Sequence, residues 1–105
     1  MGKKIIWSPQ TYSDLKNIHD YIARDSKIVA ASFTETILET IDRLADFPFM
    51  GPRIREWKNS PYRHLVVPPY RIIYRVDEKR EAVILIAIVH GARDLKLFLR
   101  GRPPK

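Results

Sequence analysis

Arg63, Arg71, Arg75 and Arg93, with His64 and His90 among them, fall in one stretch of the C-terminal half of this 105-residue chain. Those residue types suit phosphate chemistry. A guanidinium presents a planar fork that pairs with phosphate or carboxylate through parallel hydrogen bonds. Cleavage of RNA by its own 2′-hydroxyl needs one group to take a proton, one to return it, and cations to hold the charge on phosphorus. His64 or His90, with an ordinary pKa of about 6.5, can make the proton transfers. On a nuclease reading the candidate catalytic residues are Arg63, Arg71, His90 and Arg93. On a binding reading Arg63, Arg71, Arg75 and Arg93 form a row for an acidic partner, with Trp57, beside Arg55 and Lys58, as an aromatic contact. The plain alternative is a set of strand residues facing water.

Charge divides unevenly. Residues 1–50 carry six Lys/Arg against seven Asp/Glu, a net −1, and residues 51–105 carry thirteen against five, a net +8. The second half is where a polyanion or an acidic protein segment fits, with salt-sensitive attraction. Metal and cofactor chemistry find no support: His19, His64 and His90 lack ligand spacing, and the four glycines are isolated. With no cysteine, disulfides and thiolate sites are excluded. Only Ile5, Ile6 and Trp7 precede Ser8 as an apolar start, too few for a secretory signal. The longest apolar run, Ala82 to Val89, is far short of the roughly 20 residues of a membrane span. A cytoplasmic protein that meets no membrane is expected.

The elements that must position these residues follow from periodicity. Lys3 to Trp7 reads as a strand. Ser8-Pro9 opens a helix, with serine capping and proline in the first turn. Tyr12, Leu15, Ile18, His19 and Ile22 give that helix one apolar face to about Arg24. Ser26 caps a second helix carrying Val29, Phe33, Ile37, Ile41 and Leu44, and Phe47-Pro48 ends it. Strands follow at Tyr62–Val67, Tyr70–Val76 and Ala82–Val89, the last apolar throughout and suited to a central position. Alternation puts Tyr70, Ile72, Tyr74 and Val76 in the core and Arg71, Ile73 and Arg75 on a partly open working face. Ala92 to Leu99 closes the domain as a short helix, so residues 1–100 form one α+β domain, β-α-α-β-β-β-(α), with a helical hairpin on one face of a small antiparallel sheet. Residues 101–105 form a disordered basic tail.

Trp7-Ser8-Pro9 leading to Asp14-Leu15, Leu44-Ala45-Asp46-Phe47-Pro48 followed by Gly51, Tyr62-Arg63, Tyr70 to Val76, and Val89-His90-Gly91-Ala92-Arg93-Asp94-Leu95 together resemble the RelE/ParE superfamily of toxins from type II toxin-antitoxin systems. The resemblance runs from about residue 3 to 97, and no single piece of it is diagnostic. It implies the same fold, no cofactor, and a toxin held inactive by a cognate acidic antitoxin, through which alone it meets operator DNA. RelE-like members cut mRNA on the ribosome, and ParE-like members inhibit DNA gyrase without cutting RNA.

Arg63 and Arg71 match basic strand positions of the nucleases, and Arg93 lies near a further catalytic arginine. Leu65, however, stands where a second strand lysine falls, and Phe98 stands where a tyrosine is expected. The wording of the strands is closer to ParE-like members, so gyrase inhibition is the expected activity and ribosome-dependent mRNA cleavage the alternative. Whether the chain is an enzyme depends on that choice. A nontoxic basic module that binds nucleic acid or protein is a third possibility. The antitoxin is expected on the basic half, covering Leu95 and Phe98 and neutralising Arg63, Arg71 or Arg75.

Overall fold

The computed structural model describes residues 2–57 and 59–91. The predicted terminal helix, with Arg93, Leu95 and Phe98, and the tail at 101–105 lie outside the described residues. The order is β1 (Lys4–Trp7), α1 (Pro9–Ala23), α2 (Lys27–Asp46), β2 (Arg63–Val67), β3 (Tyr70–Asp77) and β4 (Ala82–His90).

Both helices start where their caps predict. The Ser8 side chain accepts from the Thr11 amide and the Ser26 side chain from the Val29 amide, each at 3.1 Å. Ile18 from α1 and Ala30, Ile37, Ile41 and Leu44 from α2 are buried. Tyr12 and Val29, expected in those apolar faces, are instead 63% and 55% exposed. Thr11 and Ala30, one position away, are buried in their place.

The sheet order is β1-β4-β3-β2. The β2-β3-β4 meander is antiparallel as expected, but β1 joins β4 in parallel, so the sheet is mixed. The helical hairpin carries the chain from β1 to β2 in the same direction, and the two antiparallel steps through β3 then bring β4 back parallel to β1. One core cluster, containing Ile37, Ile41, Leu44, Ile72, Tyr74, Val83 and Leu85, fills the space between the hairpin and the sheet.

β1 is shorter than β4, and its end at Trp7 leaves the edge of β4 uncovered beyond Leu85. The start of α1 takes over that edge. Ser8 Oγ donates to the Ile86 carbonyl at 3.0 Å, and the Asp14 carboxylate accepts from the Ile88 amide at 2.9 Å. Residues 8 and 14 therefore finish a ladder that the backbone leaves incomplete. Asp14→Ala strands the Ile88 amide and should cost about 1–3 kcal/mol, whereas Asp14→Asn keeps an acceptor and should cost less. Urea denaturation of the two variants checks this.

Candidate functional site

Uninterrupted alternation along β3 places Tyr70, Ile72 and Tyr74 toward the helices and Arg71, Ile73 and Arg75 on the far face. Strand β2 adds His64 to the far face, because it stands opposite Ile73, while Arg63 stands opposite Tyr74 and belongs to the helix side. Arg63 is committed to structure there. Its guanidinium donates to the Gly51 carbonyl at 2.8 Å and lies 5.0 Å over the Phe49 ring. Tyr74 Oη accepts from the Gly51 amide at 3.0 Å, and burial pushes that phenol above its ordinary pKa of 10.0.

β4 carries a bulge. Ile73 faces Ala87 and Tyr74 faces Leu85, leaving Ile86 as the extra residue. Ile86 and Ala87 consequently both pack on the far face, and Ile88 turns to the helix side. His90 turns with it, edge-on to Tyr70 at 5.6 Å, and lines a cavity of about 260 Å³ with Asp14, Asn17 and Tyr21. Strict alternation would have put His90 beside Arg71. Among the described residues the predicted catalytic groups are not brought together: Arg63 holds a turn, and His90 and Arg71 lie on opposite faces, while Arg93 is outside the described residues.

The far face is not the open working surface that alternation suggested. The segment between α2 and β2 folds across it, and Ile54, Trp57 and Tyr62 bury Ile73, Ile86, Ala87 and Val89. An apolar strand face has to be covered by something, and here an irregular segment covers it. Trp57, expected as a partner contact, is 8% exposed and stacks on Tyr62 at 5.0 Å. Arg75 lies 3.8 Å from Asp77 on its own strand.

What remains open is a cavity of about 620 Å³ at the margin of this second core, lined by Arg55, Glu56, His64 and Arg71. The nearest Arg71 and Glu56 atoms are 3.6 Å apart. His64 Nδ1 is buried and has no hydrogen-bond partner among the described residues. Burial first, and the Arg71 charge second, hold the His64 pKa below its ordinary 6.5, with Glu56 opposing. Arg55 and Glu56 carried no recognisable signal in the sequence, since only the fold of an irregular segment brings them to β3. His64 suits proton transfer by its residue type, but its company with Arg71 depends on the β2–β3 register.

Acid should destabilise the protein through His64. Below about pH 6.5 the unfolded chain binds a proton that the folded chain takes up only at lower pH, so this contribution is complete above 6.5 and lost as pH falls toward the folded pKa. The urea midpoint should drop over that range, and His64→Gln should flatten the drop.

A family profile described as the ParE toxin of the type II toxin-antitoxin system parDE matches residues 5–95. No curated protein sequence matches. Among solved structures, the chain superposes on the chromosomal ParDE toxin-antitoxin system from P. aeruginosa with a TM-score of 0.69 and 20% identity, covering 84% of this chain and 95% of that one. The RelBE2 toxin-antitoxin complex from Mycobacterium tuberculosis gives 0.64 and 16%, covering 86% and 99%. The intact E. coli RelBE toxin-antitoxin complex gives 0.62 and 12%, covering 87% and 99%. At these identities the structural likeness is one of fold.

Proposed function

We propose, for a chain that belongs to the ParE toxin family of type II toxin-antitoxin systems, that it acts by binding and inhibiting DNA gyrase and is neutralised by a cognate acidic antitoxin. The observation that carries this reading is the dispersal of the nuclease set. A general acid or base must come within hydrogen-bond reach of the proton it moves. His90 sits across the sheet from Arg71, and Arg63 is held by the Gly51 carbonyl. No tyrosine follows Tyr74 in the sequence, so the C-terminal tyrosine that the resemblance to the nucleases leads one to expect is missing as well. A toxin that works by occupying a partner needs no such assembly. The two RelBE neighbours are toxin-antitoxin complexes and the ParDE neighbour comes from a toxin-antitoxin system, and the net +8 of residues 51–105 suits an acidic antitoxin.

One observation favours a second reading, mRNA cleavage on the ribosome. His64 lies in the same cavity as Arg71 and Glu56, an imidazole beside a phosphate-binding cation. Arg93 belongs to either reading as a contact or a catalytic group, and Leu95 and Phe98 to the antitoxin interface.

Induced expression with pulse labelling of DNA and protein synthesis separates the two. Gyrase inhibition gives an early fall in DNA synthesis and filamentation, with His64→Gln as toxic as the parent. Nuclease action gives an early fall in protein synthesis that His64→Gln reduces about 10²-fold or more, the usual share of one acid–base group. Unimpaired growth on induction would remove both readings. No helix among the described residues is long and apolar enough to cross a membrane.

A further inference from the structure

Arg71 is far less committed to the fold than Arg63. Arg63 has a carbonyl at 2.8 Å and an aromatic ring, whereas the Arg71 guanidinium makes no hydrogen bond among the described residues and meets Glu56 only at 3.6 Å. A charge-assisted hydrogen bond would bring nitrogen and oxygen to about 2.7–2.9 Å. Glu56 is a loose occupant, with its side chain 48% exposed. Gly91 leaves space for the guanidinium, since a Cβ there would lie 3.1 Å from Arg71 Nε. Arg55 and His64 complete the walls of a cavity whose volume, about 620 Å³, far exceeds what one carboxylate needs.

The geometry points to a phosphodiester-binding site formed by Arg55, His64 and Arg71, in which Glu56 is a tethered competitor that a nucleic-acid phosphate displaces. The fork of Arg71 then gains the two oxygens that Glu56 does not offer at hydrogen-bonding distance, and Glu56 swings into solvent. The site is independent of the toxin's target, because a gyrase–DNA complex and a ribosome–mRNA complex both present a nucleic-acid backbone.

The test is fluorescence anisotropy of a labelled single-stranded oligothymidylate titrated with the purified full chain. This probe has no 2′-hydroxyl, so binding is read without any cleavage, and failure here leaves the gyrase assignment untouched. Arg71→Gln should weaken binding about tenfold, within the range of one strong arginine contact. Arg55→Gln, at an exposed side chain, should weaken it less and serves if Arg71→Gln does not fold. The direction of Glu56→Gln decides the matter. It should tighten binding clearly more than Glu78→Gln, which makes the same change in net charge on the exposed β3–β4 turn. Equal effects of Glu56→Gln and Glu78→Gln would mean general electrostatics and overturn the proposal. Competition by polyglutamate that matches the oligothymidylate at equal charge would also overturn it, by making the cavity a site for protein carboxylates.

Discussion

Gly51→Ala should cost roughly 3 kcal/mol or more, at or beyond the upper end of overpacking penalties, and should leave little folded protein at physiological temperature. The reason is contact. A Cβ at residue 51 would overlap the His64 carbonyl oxygen and lie 2.7 Å from Tyr74 Oη. The first neighbour is backbone of β2, and the second is a fully buried phenol that accepts the Gly51 amide, so neither can move cheaply. Gly51 is also the residue whose carbonyl holds Arg63. Displacing it therefore loosens the end of α2, the first residues of β2 and the segment that covers the far face. A single domain commonly has only about 5–15 kcal/mol in total. Thermal melting by circular dichroism checks the result, and Arg63→Lys gives a milder comparison at the same turn, since lysine keeps the charge but loses the fork. A melting temperature for Gly51→Ala within a few degrees of the parent would mean that the turn relaxes far more readily than its contacts suggest.

Leu44→Ala should cost about 3–4 kcal/mol. Leu44 is fully buried in the last turns of α2, in the same cluster as Ile41, Ile72, Tyr74 and Leu85. Removing three carbons loses about 0.8 kcal/mol for each in transfer alone, and the cavity left behind adds more where the surroundings cannot collapse. Collapse is restricted here because a helix and two central strands meet at the site. Leu38, on the same helix but 41% exposed, should lose well under half as much on truncation to alanine. Urea unfolding midpoints at constant slope measure both.

Much of the fold was legible because it rests on local rules. Ser8-Pro9 and Ser26 mark helix starts through backbone amides that need acceptors, and Phe47-Pro48 ends α2 because proline disfavours helix before it. The unbroken apolar run in β4 called for a strand covered on both faces, and β4 is one of the two inner strands. The matched motifs pointed to the superfamily to which the family profile assigns the chain. Asp14 stood in one of those motifs without a physical role until its contact with the Ile88 amide supplied one.

The sequence by itself determined the α+β element order, the helical hairpin, the core face of β3 and the basic character of the second half. Each depends on near neighbours or on composition, which a chain carries in one dimension. The tertiary structure decided which cations share a site. One extra residue in β4 reverses the side of the sheet on which His90 stands, and alternation cannot register a bulge that depends on pairing with β3. The β2–β3 register sends Arg63 to one face and His64 to the other. Trp57 became core because the far face of the sheet is apolar and the segment before β2 was the chain available to cover it. Residues far apart in sequence are brought together by long-range packing, and that packing assembled Arg55, Glu56, His64 and Arg71.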